Sequence, residues 1–135
     1  MPEETSPLDV VEAFAAAINA HDVEGIIELQ SERHVFIDSL GSTVRGAKFL
    51  RKAWASYFET VPDYWVRIDH GVIAPEYIAL FGAAGGTLAV AGELLAENKW
   101  ETLAAWRAVV VTGHVAEWQM YADNEPIRAL IRKEK

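Results

Sequence analysis

Residues 49–72 read FLRKAWASYFETVPDYWVRIDHGV, and the spacing of their apolar residues changes halfway along the stretch. The first half predicts a helix, because apolar residues recur there with the helical period. The recurring residues are Phe49, Leu50, Ala53, Trp54, Tyr57 and Phe58, and Pro62-Asp63 follows them as a helix stop. From Tyr64 onwards polar and apolar residues alternate, which predicts a strand. One face of that strand carries Val66, Ile68, His70 and Val72.

The segments before and after this stretch carry signals for further helices and strands. Ser6 and Pro7 suit the first turn of one helix, and Asp22 suits the cap of a second, shorter one. The segment His34–Ser39 is rich in β-forming residues and predicts a short strand. After residue 72, alternation predicts three more strands and a capped last helix, at Glu76–Thr87, Trp100–Val111, Val115–Ala122 and Asp123 onwards. This order predicts an α+β fold, in which N-terminal helices cover one face of a bent, mostly antiparallel sheet.

Composition limits the classes of function. At 135 residues and 15.0 kDa the chain has the length of one domain, which we place over residues 1–135. The net charge of −8 disfavours binding to nucleic acid or to an anionic membrane surface. The absence of cysteine excludes thiol chemistry and fits a reducing compartment, so we expect a cytoplasmic protein. No metal-binding spacing and no membrane-length apolar run occur, so we expect no metal, no cofactor and no membrane span.

Four segments, taken in order, resemble one known superfamily. They are FAAAINAHD at 14–22, VFIDSLG at 35–41, WRAVV at 106–110 and GHVAEWQMYAD at 113–123. Together they are similar to the nuclear-transport-factor-2-like superfamily, in its SnoaL-like and ketosteroid-isomerase-like branch. The resemblance implies a cone-shaped sheet with a central apolar pocket, and dimers formed through the outer face of the sheet. It leaves the activity open, because such proteins include isomerases, cyclases, epoxide hydrolases, dehydratases and non-catalytic binders.

Asp38 is the first candidate for a catalytic residue. Strand alternation places it on one face with His34 and Phe36. The resemblance to ketosteroid isomerases implies that Asp38 is the base that removes a proton at the pocket mouth, and apolar neighbours make a carboxylate more basic. The alternative is that Asp38 caps the turn over Ser39–Ser42.

The other catalytic groups that the resemblance implies are missing. The two oxyanion donors of the isomerases fall on Phe14 and Ala105, which cannot donate a side-chain hydrogen bond. The arginine–aspartate pair of the epoxide hydrolases falls near Ala104–Trp106, and their second aspartate falls on Met120. In the SnoaL-type cyclases an aspartate stands where this chain has Gln119.

His34 and His70 are further candidates for acid or base catalysis, because imidazole titrates near neutral pH. Both lie on predicted strands among apolar residues. The alternative is that each is a core histidine bonded to a backbone carbonyl. Asp123 is expected to cap the last helix.

The candidate ligand-binding residues are mostly aromatic. They are Phe14, Phe36, Trp54, Tyr57, Arg107, Trp118 and Met120. Arg107 shares its strand parity with Leu103 and Val109, which predicts that it faces the pocket, and an ion pair with Glu117 or Asp69 is the alternative. An aromatic stripe also suits plain core, so the binding role is a hypothesis.

Trp65 and Trp106 fall on the opposite parity and predict an apolar outer face of the sheet. Monomers seldom expose extended apolar patches, so we expect a homodimer. An oligomerising scaffold is a function that rests on these tryptophans alone.

Two other functions remain open. The first is an enzyme of the SnoaL-like type, either a hydrolase or an isomerase, cyclase or lyase that acts on a small apolar carbonyl compound with Asp38 as base. The second is a non-catalytic module that binds a small apolar ligand in the same pocket. Asp38 and the histidines favour the enzyme, and the missing donors favour the binding module.

Overall fold

The structure of the chain, a computed structural model, describes residues 6–133. Within those residues it contains four α-helices and six strands, in the predicted order with one short strand added. The helices are α1 (Pro7–Asn19), α2 (Val23–Leu29), α3 (Ala47–Thr60) and α4 (Glu125–Lys133). The strands are β1 (Gln30–Ile37), β2 (Thr43–Arg45), β3 (Trp65–Ile73), β4 (Ile78–Thr87), β5 (Lys99–Val111) and β6 (His114–Ala122). Residues 1–5 and 134–135 of the predicted domain lie outside the described residues.

The six described strands form one curved, unclosed sheet in the order β2-β1-β6-β5-β4-β3. Strands β3 to β6 form the predicted antiparallel meander, and β1 adds to β6 in parallel. Helices α1 and α3 bury Phe14, Ile18 and Trp54 in the core that the sheet encloses. The α+β fold is therefore confirmed. Among the described helices, none is long and apolar enough to cross a membrane.

A bulge in β3 turns His70 away from the core. Ile68 and His70 pair with neighbouring residues of β4, so Asp69 is an extra residue on β3. Beyond the bulge Gly71 faces the helices, because a Cβ there would lie 3.3 Å from the side chain of Leu8. His70 is exposed on the outer face. The prediction that His70 faces the pocket is wrong, since simple alternation does not count the extra residue.

The two faces of β5 are also the reverse of the prediction. Trp106 is buried, at 2% exposure, whereas Leu103 is 82% exposed. Arg107 lies on the outer face, where it forms an ion pair with Glu117 and lies 5.3 Å from the ring centre of Tyr77. The pocket role of Arg107 and the outer position of Trp106 are thus wrong. The parity of Trp106 also carries Trp100, Ala104 and Ala108, whereas the parity of Arg107 carries Lys99 and Glu101, so the pattern of this strand itself favours Trp106 as the inward residue.

Two side chains at the end of α1 fix the start of β3. Asn19 accepts a hydrogen bond from the backbone N–H of Val66 at 2.8 Å and donates one to its carbonyl oxygen at 2.9 Å. His21 donates through Nε2 to the carbonyl oxygen of Tyr64 at 2.8 Å and stacks on Phe58 with the ring centres 4.2 Å apart. These contacts hold the first residues of β3 and the residue before it against the helices.

Candidate functional site

A cavity of about 320 Å³ lies between the helices and the inner face of the sheet. Leu40 lines the cavity and is exposed, so the cavity reaches the surface at the turn after β1. Its lining includes six aromatic side chains, namely Phe36, Trp54, Tyr57, Tyr64, Trp106 and Trp118, together with eight aliphatic or methionine side chains. The other lining residues are polar, namely Asp38, Ser39 and Asn124. The site is therefore a largely apolar chamber with one carboxylate, which lies directly after β1.

The structure brings some of the candidate residues to this cavity and leaves others out. The candidates that line it are Phe36, Asp38, Trp54, Tyr57, Trp118 and Met120. Phe14 does not line it, because its ring is fully buried in the core and packs 4.8 Å from the ring of Trp118. His34 also lies outside the lining, as do His70 and Arg107 on the outer face.

Asp38 lines the cavity and also holds a turn. Its Oδ1 accepts hydrogen bonds from the backbone N–H groups of Leu40 and Ser42, each at 2.9 Å. Its backbone N–H donates to the carbonyl oxygen of Ser42 at 2.9 Å, which closes the same turn. Its Oδ2 accepts no hydrogen bond from the described residues and remains available to a ligand. The two interpretations of Asp38 are therefore compatible, because each uses a different oxygen.

His34 is a core histidine, as the alternative interpretation stated. It is 2% exposed, and its Nδ1 donates to the carbonyl oxygen of Val115 at 2.7 Å. Desolvation lowers the pKa of His34, against the smaller effect of this hydrogen bond, and favours the neutral ring. Its Nε2 is buried and has no partner among the described residues. The catalytic assignment of His34 is wrong, because the ring is buried in the core beside Phe14, with the ring centres 5.9 Å apart, and does not line the cavity.

Two tyrosines supply hydroxyl groups to the chamber. The rings of Tyr57 and Tyr64 meet edge to face with their centres 4.8 Å apart, and Tyr64 Oη lies 3.9 Å from the Sδ atom of Met120. Burial raises the pKa of Tyr57 to about 12 and raises that of Tyr64 as well, so both stay neutral donors at physiological pH. The hydroxyl of Tyr57 makes no hydrogen bond with the described residues. Sequence reasoning missed Tyr64, although it has the same parity as the buried Val66.

Asn124 and Ser39 were missed as site residues. The segment that starts α4 was interpreted only as a helix cap, and Ser39 only as part of the turn after β1. The Ser39 hydroxyl donates to Asn124 Oδ1 at 2.6 Å, and Asn124 Nδ2 donates to the Ser39 carbonyl oxygen at 3.3 Å. Ile127 of α4 also lines the cavity. The turn that carries Asp38 is thus connected to the helix that covers one side of the chamber. Asp123 itself accepts from the N–H of Glu125 at 2.9 Å, as expected of a helix start.

Within residues 6–133 no cluster of three or more histidine or carboxylate side chains could hold a metal ion. What the chamber offers instead is one carboxylate oxygen, one open tyrosine hydroxyl and an aromatic enclosure. A carboxylate base and a neutral donor in an apolar chamber are the groups that proton transfer at a carbon next to a carbonyl requires.

Comparison with known proteins supports the fold. A profile of the SnoaL-like domain matches residues 11–126. No curated protein matches the chain significantly. A protein of ketosteroid isomerase-like fold from Catenulispora acidiphila, solved in complex with trimethylamine, is 18% identical and superposes with a TM-score of 0.80 over 93% of this chain and 92% of that chain.

Two further structures carry names from polyketide chemistry. An inferred SnoaL-like polyketide cyclase from Shewanella putrefaciens is 14% identical, with a TM-score of 0.79 over 97% of this chain and 88% of that chain. IdmH, an inferred polyketide cyclase from Streptomyces antibioticus, is 19% identical, with a TM-score of 0.76 over 95% of this chain and 99% of that chain. At these identities the similarity shows the fold alone, and it is the match to the SnoaL-like domain profile that confirms the predicted family resemblance.

Proposed function

The chain belongs to the SnoaL-like domain family, and from this premise we propose that its cavity is an active site in which Asp38 acts as general base on a small, largely apolar carbonyl compound. The single observation that carries the proposal is that the two carboxylate oxygens of Asp38 have different hydrogen-bond partners. Two backbone N–H groups fix Oδ1, Oδ2 accepts no hydrogen bond from the described residues, and the residue lines an aromatic chamber. A base held by the backbone needs little reorganisation when substrate binds.

The proposed step is proton abstraction from the carbon next to the carbonyl group. The C–H bond breaks, the proton moves to Asp38 Oδ2, and the electron pair forms an enolate whose negative charge rests on the carbonyl oxygen. The hydroxyl of Tyr57 donates a hydrogen bond to that oxygen. Return of the proton to another carbon gives an isomerase, attack of the enolate carbon on a second carbonyl gives a cyclase, and loss of a leaving group gives a lyase.

Tyr57 takes the place of the donors that the resemblance implies and this chain lacks. Phe14 has no hydroxyl and lies outside the lining, and Ala105 lies on the outer face of β5. The inward neighbours of Ala105, which are Ala104 and Trp106, carry no carboxyl group either. The proposed donor therefore comes from α3 rather than from α1 or β5.

A second candidate function is non-catalytic binding of a small apolar ligand. The observation that favours it is the turn itself, because its two hydrogen bonds explain the presence of Asp38 without any chemistry. His34 adds nothing to an active site, since its Nδ1 is engaged in the core.

Asp38→Asn separates the two functions. The asparagine Oδ1 keeps the acceptor of the turn, and the amide removes the basic oxygen. With a panel of enolisable ketones, lactones and epoxides in D₂O, ¹H NMR would follow both turnover and loss of the signal of the proton next to the carbonyl. We expect the parent to exchange that proton and the variant to exchange it at least about 100-fold more slowly.

Asp123→Asn is the matched control for this experiment. Asp123 also accepts a backbone N–H through Oδ1 at a turn, but it is exposed and does not line the cavity. This variant should exchange at the parental rate. An Asp38→Asn protein that is as active as the parent would remove Asp38 from the chemistry and leave the binding module as the better account.

The homodimer and the cytoplasmic location belong to the same proposal. The outer face of the sheet carries exposed apolar side chains that a second copy would cover. A chain without cysteine suits a reducing compartment.

A thermal-shift panel of neutral apolar ketones would test the ligand class, with stabilisation of the parent as the expected result.

A further inference from the structure

The cavity has one sign of charge. Asp38 is the single ionisable carboxylate among the described lining residues, and no lysine, arginine or histidine lines the cavity. None of the ion pairs among the described residues involves Asp38, and Arg51 of α3 is paired with Glu24 at 2.9 Å. The net charge of −8 on the whole chain adds to a negative potential at this site.

Aromatic faces strengthen this preference for positive charge. Three of the six rings in the wall are indoles, Trp54 from α3, Trp106 from β5 and Trp118 from β6. An aromatic face attracts a cation that lies within about 6 Å of its centre, and indole does so best. The attraction is larger in a chamber that excludes water than at an exposed surface.

The supply of hydrogen-bond acceptors determines which kind of cation fits. Ser39 donates its hydroxyl to Asn124 Oδ1 at 2.6 Å and Asp38 Oδ1 accepts two backbone N–H groups, so Asp38 Oδ2 is the charged acceptor of the described lining that has no hydrogen bond. A primary ammonium group carries three N–H donors, and a lining that is mostly apolar offers few acceptors in exchange for the water it would lose. A tertiary ammonium has one donor and a quaternary ammonium has none, and both present methyl or methylene groups to the aromatic wall.

We infer that this cavity selects ligands that carry a tertiary or quaternary alkylammonium group, and that it rejects carboxylates. The cation lies against the tryptophan faces within the field of Asp38. A ligand carboxylate would instead meet Asp38 without any cation in the lining to balance it. The inference concerns binding and holds whether or not Asp38 acts as a base, so it does not depend on the proposed function.

The test compares three probes of nearly the same shape and different charge. They are choline, which is cationic, 3,3-dimethylbutan-1-ol, which is its neutral isostere, and 3,3-dimethylbutanoate, which is anionic. Intrinsic tryptophan fluorescence of the full chain, checked by calorimetry, gives a dissociation constant for each probe. We expect choline to bind at least about tenfold more tightly than the alcohol, which is within the range of cation–π and ion-pair attraction combined. The carboxylate should show no saturable binding.

Two variants assign the effect to Asp38. Asp38→Asn should reduce the ratio of choline to alcohol affinity to about threefold, because the cation–π part alone remains, and Asp123→Asn should leave the ratio unchanged. The inference is overturned if the alcohol binds as tightly as choline, if the carboxylate binds better than either, if choline shows no binding at millimolar concentration, or if Asp38→Asn keeps the parental ratio. None of these outcomes decides the proposed function, which fails instead when Asp38→Asn keeps the parental exchange rate.

Discussion

The imidazole of His34 shows how burial can set a protonation state at a single residue. Its Nδ1–H bonds to the carbonyl oxygen of Val115 at 2.7 Å, and its Nε2 faces no donor or acceptor among the described residues. Desolvation lowers the pKa of His34 in the folded chain below its usual value of about 6.5. A buried proton acceptor of this kind makes the stability of the fold depend on pH.

We expect the free energy of unfolding to fall as the pH drops below about 6.5. Above that pH, His34 is neutral in both the folded and the unfolded chain, so its protonation does not lower the free energy of unfolding. Below it, His34 of the unfolded chain binds a proton, whereas His34 of the folded chain stays neutral until the pH falls to its lowered pKa. The slope that this one proton adds is at most about 1.4 kcal/mol per pH unit. Urea unfolding curves recorded between pH 7.5 and 5.5 would measure it.

His34→Gln should flatten this dependence, because the glutamine amide can donate to the same carbonyl oxygen and does not titrate in this range. His114→Gln is the control, since His114 is exposed at the β5–β6 turn. Parallel stability curves for the parent and the His34 variant would show that His34 is not the titrating group. If the curve of the His114 variant flattened as much as that of the His34 variant, the pH dependence could not be assigned to His34.

Helix α4 and the turn after β1 are connected across the cavity by one pair of side chains. Ser39 and Asn124 exchange hydrogen bonds of 2.6 Å and 3.3 Å, and no residue of α4 is fully buried. Ile127 reaches the chamber from the first turns of this helix. The position of α4 over the site therefore depends on these two bonds, on a few half-buried apolar contacts and on the exposed ion pair of Lys133 with Glu97.

Asn124→Ala should loosen α4 without unfolding the sheet. Loss of the two bonds costs about 1–2 kcal/mol, so amide hydrogens of residues 127–133 should exchange with solvent roughly 5- to 30-fold faster. Glu125→Gln is the control, because it removes only the exposed ion pair with Arg132, and exposed pairs contribute little. Equal protection of α4 in the two variants would contradict the assigned role of Asn124.

The helices and strands with a strong apolar period were predictable from the sequence, whereas the face that each strand turns towards the core was predicted only in part. The stripe from Phe49 to Phe58 marks α3 because a helix with one buried side leaves that pattern whatever it packs against. The alternation in β3 marks a strand equally well, yet the bulge at Asp69 depends on how β3 pairs with β4 and leaves no sign in the local period. The inner face of β5, by contrast, is marked in the sequence, because the charged residues Lys99, Glu101 and Arg107 all lie on the other parity.

The candidate site follows the same division. Asp38 was found because a motif marks it, and the aromatic wall was found because aromatic residues recur on α3 and β6. Asn124 was missed, because its partner Ser39 lies 85 positions away and nothing local to either residue indicates the contact. The role of Tyr64 depends on His21, whose bond to the Tyr64 carbonyl also joins segments distant in sequence.

At the scale of the whole molecule, the outer face of the sheet is the feature that remains unexplained by the single chain. Phe81 and Tyr121 are both register partners of Ala105, and Leu103 lies two residues along the same face of β5. Leu103 is 82% exposed, and Phe81 and Tyr121 are about half exposed. Trp106, one of the two tryptophans that first suggested this face, is buried on the inner side, whereas Trp65 has the parity opposite the buried Val66, and the Arg67 guanidinium lies 5.8 Å from its ring centre. The expected dimer therefore rests mainly on Leu103, Phe81 and Tyr121.

We expect two copies of the chain to pack through this face, because monomers rarely expose a contiguous apolar patch. Sedimentation equilibrium at micromolar concentration should give twice the chain mass of 15.0 kDa. Leu103→Asp should give a folded monomer, since a buried carboxylate without a partner opposes the contact. Leu94→Asp, in the loop between β4 and β5, places the same charge at an exposed leucine away from the patch and should leave the dimer intact. A parent chain that sediments at 15.0 kDa, or a Leu103 variant that stays dimeric, would show that this face is free in solution.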